Sequence, residues 1–243
     1  MLKQSAKAVL GLVGLQARQA TLFHRALAVL CSDGHRPFFV QVGANNGVDF
    51  DDTYALSLKY QMTGLVIEPI RDYHDILAAV YRRHPGVIPV NAALHPTARS
   101  ATLYRVVPEC VCNDWEHGLA SFSRDHLLAH GVPEASIAPE EVRCLNFRGL
   151  LDAYAPGAGV EVLIVDTEGF DGAILKMADE AGLRPKIIRF EAAHLPPEDL
   201  EQTLARLQRL DYVLATDGHD YIAVQPPLHS PIRYIRALLA ESA

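Results

Sequence analysis

Two stretches of this sequence place acids and a histidine directly after short apolar runs. Glu161-Val162-Leu163-Ile164-Val165-Asp166 is followed by Glu168, and Lys186–Phe190 is followed by Glu191 and His194. Carboxylates and an imidazole at neighbouring strand ends could take a proton from a bound hydroxyl, because an imidazole titrates near neutrality. Asp166, Glu191 and His194 are therefore the candidate catalytic residues, with His194 as the candidate base. The same three side chains could hold Mg2+ or Mn2+. The plainer reading is acids at strand ends beside a solvent-facing histidine. His117, His126 and His130 read as structural or exposed.

A second constellation lies earlier. The apolar run Phe38–Val42 ends in Gly43-Ala44-Asn45-Asn46-Gly47, and Leu65-Val66-Ile67 ends in Glu68. A strand, a glycine turn, a helix and a strand closing on an acid hold an adenosine-containing cofactor in open α/β sheets. Gly43-x-x-x-Gly47 is not the Gly-x-Gly-x-x-Gly of a dinucleotide site. The residues after Gly47 include Asp49, Asp51 and Asp52. Those acids would repel a pyrophosphate but suit an ammonium and a sulfonium, so S-adenosylmethionine fits better than NAD. Glu68 is placed to accept hydrogen bonds from ribose hydroxyls, and Asn91 to contact an adenine edge or ribose.

The elements that must position these groups alternate. Phe38–Val42, Leu65–Ile67 and Val87–Val90 read as strands separated by helices over Asp51–Tyr60 and Tyr73–Arg83. This pattern predicts right-handed crossovers and a parallel sheet. Pro89 cannot donate to a central ladder, so the third strand belongs at a sheet edge, as in the order 3-2-1-4-5. The run Val162–Val165 suits a central strand buried on both faces. A helix near Asp171–Ala181, a strand over Lys186–Phe190, and an amphipathic helix over Glu198–Leu210 follow. Tyr212–Thr216 and Tyr221–Gln225 then flank a hairpin turn. Residues 95–148 are less regular, with a strand over Ala101–Val107 and helices over Ser123–His130 and Leu150–Tyr154. The stretch 108–140 reads as a long irregular, functional region.

Composition narrows the classes. The chain has 243 residues, is 49% apolar and carries a formal net charge of −7, which argues for a sizeable core and against a nucleic-acid partner. Four cysteines, Cys31, Cys110, Cys112 and Cys144, make no disulfide framework, and the expected location is cytoplasmic with reduced thiols. Cys110-x-Cys112 lacks the second pair that a structural zinc needs. Lys3, Lys7 and the apolar stretch Ala8–Leu15 read as part of a docking helix, not a secretory signal. No run is long enough for a membrane span. The expected division is a helical extension over 1–34 and one cofactor-binding domain over 35–243; a homo-oligomer is compatible with it.

These segments together resemble the FkbM-type S-adenosylmethionine-dependent methyltransferases. The carriers are VGANNG at 42–47, Ile67-Glu68-Pro69, NAAL at 91–94, VDTEGFDGAILK at 165–176, and Phe190-Glu191. The resemblance implies a class I methyltransferase fold: a mostly parallel seven-stranded sheet of order 3-2-1-4-5-7-6, strand seven antiparallel, with helices on both faces. It implies O-methylation of a saccharide, glycan or natural-product hydroxyl. It would place Gly43, Ala44, Asn45 and Gly47 on the methionine part of the cofactor and Glu68 on the ribose. Asn91 and Ala92 would border the adenosine, and Asp166 would face the methyl-transfer site. Gln41 departs from the acid that such motifs usually carry. The competing readings are a non-catalytic binding module and a nicotinamide-dependent oxidoreductase or epimerase.

Overall fold

The computed structural model describes residues 21–49, 52–107, 110, 118–216 and 218–226. The part of the expected docking helix before residue 21, Cys112 and His117 lie outside the described residues. Among the described residues no helix is long and apolar enough to cross a membrane.

The strands in chain order are β1 (Phe38–Val42), β2 (Thr63–Ile67), β3 (Val87–Val90), β4 (Ala93–Leu94), β5 (Ser100–Val106), β6 (Ala120–Ser121), β7 (Ile137–Leu145), β8 (Val162–Val165), β9 (Ile187–Glu191), β10 (Val213–Thr216) and β11 (Asp220–Val224). The helices are α1 (Leu22–Leu30), α2 (Thr53–Lys59), α3 (Arg71–Tyr81), α4 (Arg124–Ala129), α5 (Phe147–Tyr154), α6 (Asp171–Glu180) and α7 (Pro197–Arg209).

The main sheet has seven strands in the order β3-β2-β1-β8-β9-β11-β10. Counted within that sheet alone, this is 3-2-1-4-5-7-6. β1, β2, β3, β8 and β9 run parallel, while β11 is antiparallel to both β9 and β10. β8 is central and every residue of it is buried, as a strand covered on both faces must be. β3 is the edge strand, where the missing N–H of Pro89 costs no ladder bond.

Two apolar layers sandwich the sheet. Val40, Val42, Leu65 and Leu163 face α5, α6 and α7, whereas Phe39, Val66, Val162 and Ile164 face α1, α2 and α3. Alternate strand residues point to opposite faces, so β1 feeds both layers.

Described residues between 93 and 145 form a second, four-stranded sheet, β4-β7-β5-β6; residues 108, 109 and 111–117 of the stretch expected to be irregular lie outside the described residues. β7 pairs antiparallel with β5 from Ile137↔Val106 to Arg143↔Ser100. Pro139 lies in β7, yet β4 pairs only with Cys144 and Leu145, so the proline sits where one side of the strand is open. The inward residues Val142 and Cys144 pack with Ile70 and Leu103. This small sheet stands beyond the carboxyl ends of the main strands.

Candidate active site

A cavity of about 460 Å³ opens between the carboxyl ends of the main strands and the small sheet. That is the crevice where open α/β sheets bind ligands, and the volume suits a small organic molecule. Five carboxylates line it: Asp49, Glu68, Asp166, Glu168 and Glu191. The cation Arg189 also lines it but is already paired, 2.9 Å from Asp220 and 3.4 Å from Asp52. Tyr73, Phe122 and Phe170 supply aromatic walls, and Leu94, Leu103 and Leu119 apolar ones.

One rim is built by β1 and β2. Gly43 and Ala44 both donate to the Ile67 carbonyl at 3.0 Å. Gly43 has φ of +80°, and a Cβ there would stand 1.7 Å from the Asp166 carbonyl oxygen. Only glycine lets the ends of β1 and β8 approach this closely. Asn45 adopts φ of +47°, and its N–H donates to Glu68 Oε2 at 2.9 Å. Ile70 N–H donates to Glu68 Oε1 at 2.8 Å. Glu68 is 4% exposed, and burial pushes its carboxyl up to about 7 despite those two backbone donors.

Two residues expected on this rim stand behind it. Asn91 does not line the cavity: its amide donates to the carbonyls of Glu68 and Pro69 at 3.0 and 2.9 Å, bracing the turn that aims Glu68. Gly47 also lies off the cavity, packed so that a Cβ would meet Leu77 Cδ1 at 2.6 Å. Ala44, Asn45, Ala92 and Gln41 do line it. Gln41 is a buried neutral amide where the resembled family carries an acid.

The opposite rim is built by β8, β9 and α4. Asp166 is an exposed residue that lines the cavity. Desolvation at the crowded strand ends, with the carboxylates of Glu191, Glu168 and Asp171 nearby, pushes its carboxyl upward. Glu168 sits at φ of +52°, a conformation a non-glycine residue keeps only where its surroundings impose it. Its carboxylate lies 2.8 Å from His194 Nδ1, and Glu191 Oε2 lies 3.0 Å from the same nitrogen. Against its own burial, the neighbouring imidazoles of His126 and His194 hold Glu168 down at about 2, and Glu168 and Glu191 raise His194 to about 10. An imidazole charged at neutral pH donates rather than accepts, so the geometry does not favour His194 as the base.

The expected ligand trio also changes. Glu168, not Asp166, joins Glu191 and His194 with polar atoms within 4.8 Å of one another. His126 and His130, read from sequence as structural or exposed, converge on His194 with ring centroids 5.4 and 4.5 Å away. Their spacing of four on one short helix was the available signal. Asp171 was missed outright. It is fully buried at the start of α6, accepts from Thr167 Oγ1 at 2.9 Å, and is pushed up to about 7 chiefly by burial.

The methyltransferase FkbM domain profile matches residues 41–214, more than half of the chain. Among solved structures, the chain is similar to a methyltransferase FkbM from Methylobacillus flagellatus, at 16% identity and a TM-score of 0.49 over 79% of this chain and 44% of that one. It therefore spans less than half the length of that protein. It is similar to Aeropyrum pernix fibrillarin with natively bound S-adenosyl-L-methionine, at 12% identity and a TM-score of 0.42 over 81% and 72% of the two chains. It is also similar to an O-methyltransferase from Bacillus cereus in complex with SAH, at 12% identity and a TM-score of 0.39 over 91% and 90%. No curated protein matches the chain.

Proposed function

Because the chain belongs to the FkbM methyltransferase family, we propose that it is an S-adenosylmethionine-dependent O-methyltransferase acting on a hydroxyl of a saccharide, glycan or natural product. The observation that carries this reading is the acid-lined cavity at the strand ends, with one lining carboxylate, Glu68, closing β2. The donor set fits the cofactor: carboxylates and backbone groups attract an ammonium and a sulfonium. When bound, the cofactor supplies an electrophilic methyl group.

The chain's own residues supply position and proton transfer. Gly43, Ala44 and Asn45 would border the amino-acid end, Glu68 the ribose, and Ala92 the adenosine. Phe122 and Phe170, with ring centroids 5.0 Å apart, offer faces for the carbon skeleton of a sugar or other ring. Asp166 is the carboxylate best suited to accept the hydroxyl proton, since its raised affinity for protons makes it the stronger base. Glu168 and Glu191 hold His194 at the cavity wall on this acceptor side.

A screen of hydroxyl acceptors with methyl-labelled S-adenosylmethionine tests this. Label transfer to an oxygen, lost by about 100-fold or more in Asp166→Asn with cofactor affinity retained, is the expected result. Transfer undiminished in Asp166→Asn removes Asp166 from the chemistry. Cofactor binding without turnover on any acceptor favours a non-catalytic binding module.

A further inference from the structure

We propose that His126, His130 and His194 form a binding site for one divalent late transition-metal ion of the Zn2+ type, opening onto the cavity. A ring nitrogen from each lies within 4.8 Å of the other two. Tetrahedral zinc holds its ligand nitrogens about 3.4 Å apart, so ring rotations of about an ångström close the set. His126 and His130 share one face near the end of α4, and His194 follows β9. His130 and His194 line the cavity, so a bound ion would present its remaining position there.

The hydrogen bonds already select the nitrogens. His130 Nδ1 lies 2.8 Å from the His126 carbonyl oxygen, to which it can only donate, leaving Nε2 as the uncommitted atom. His194 Nδ1 is held between Glu168 at 2.8 Å and Glu191 at 3.0 Å, again leaving Nε2. His126 Nε2 is buried without a hydrogen-bond partner and lies 4.0 Å from Glu168 Oε2. A buried polar nitrogen left unmatched is costly. A bound cation gives that nitrogen a partner, and its uptake sends the displaced ring proton to solvent.

The donor set chooses the ion. Three imidazoles with an open position are a zinc pattern, and Mg2+ prefers oxygen ligands. Glu168 and Glu191 spend oxygens on His194 Nδ1, which makes them the carboxylates that orient a ligating histidine. The positive φ of Glu168 is consistent with a side chain held for that task. Beside the cavity such an ion would lower the pKa of an acceptor hydroxyl. That use rests on the methyl-transfer reading; binding of the ion does not.

The test is equilibrium dialysis of the chelator-treated full chain against Zn2+ and, separately, Co2+. One ion per chain and the intense visible absorption of four-coordinate Co2+ are expected. His126→Gln and His130→Gln should each weaken Zn2+ binding by about 100-fold or more, and Glu191→Gln by about 10-fold. His35→Gln, which alters a histidine paired with Glu161 before the strands, should change nothing. Thermal shifts of the unmutated chain cover variants that fail to fold: Zn2+ should raise the midpoint and Mg2+ should not. Equal shifts, a weak six-coordinate Co2+ spectrum, or undiminished binding by the His126 and His130 variants would overturn the site. S-adenosylmethionine titration runs in parallel: cofactor binding without metal binding overturns only this site, whereas metal binding without cofactor binding upholds it and overturns the cofactor assignment.

Discussion

The two rims of the cavity are built in different ways. The β1–β2 rim is made of backbone: glycine turns, carbonyl acceptors, and a carboxylate, Glu68, gripped by the N–H groups of Asn45 and Ile70. The β8–β9 rim is made of side chains: Asp166, Glu168, Glu191 and three imidazoles, held by ion pairs and ring contacts. Backbone geometry gives a rigid, chain-local binding surface, and side-chain clusters give adjustable chemistry drawn from distant segments. On this account the first rim sets cofactor affinity, and the second handles the acceptor.

Substitutions can separate them. The largest effect is expected for Gly43→Ala, which drives a Cβ into the Asp166 carbonyl at a left-handed φ. A loss above about 4 kcal/mol, or failure to fold, should appear in urea unfolding. Because that glycine joins both rims, a mild effect would break the idea that close β1–β8 approach organises the site.

The next effect concerns pH. Glu68 and Asp171 both have folded-state values near 7, above those of an unfolded chain. Between about pH 4.5 and 7 the folded state therefore binds more protons, so stability falls as pH rises through that window. The drop should reach a few kcal/mol by order of magnitude, since both groups are buried. Glu68→Gln should flatten part of it in thermal scans; a curve unchanged by that substitution would contradict the assignment.

Asn91→Ala removes two hydrogen bonds behind Glu68 and should cost about 1–2 kcal/mol in denaturant unfolding. A cofactor affinity reduced by a few-fold would confirm that the amide acts through Glu68, whereas a loss as large as that of Glu68→Ala would give it direct contact. The smallest effect on affinity is expected for Glu191→Gln, which should leave cofactor binding within about two-fold while slowing transfer.

The legible parts of this molecule are those whose signal is local. Phe38–Val42, Val162–Val165 and the paired β10 and β11 announce themselves by their apolar runs, and Pro89 places β3 at the edge. β7 was illegible because Pro139 and the acids Glu140 and Glu141 disguise a strand with one side open. The histidine cluster was illegible because His126 and His130 meet His194 only after β8, α6 and β9 have formed. In the sequence Asp171 marks only the start of a helix, since burial at 0% exposure is a tertiary fact. Asn91 and Gly47 lay in the right turns, but where the Asn91 amide points and what packs on Gly47 depended on Pro69 and Leu77.

The most direct measurement is calorimetric titration of S-adenosylmethionine into the unmutated chain, Glu68→Ala and Glu191→Gln. The account predicts one site, weakened about 10-fold or more by Glu68→Ala and essentially untouched by Glu191→Gln. No binding by the unmutated chain, or equal losses in both variants, would contradict the division of the cavity into a cofactor rim and a chemical rim.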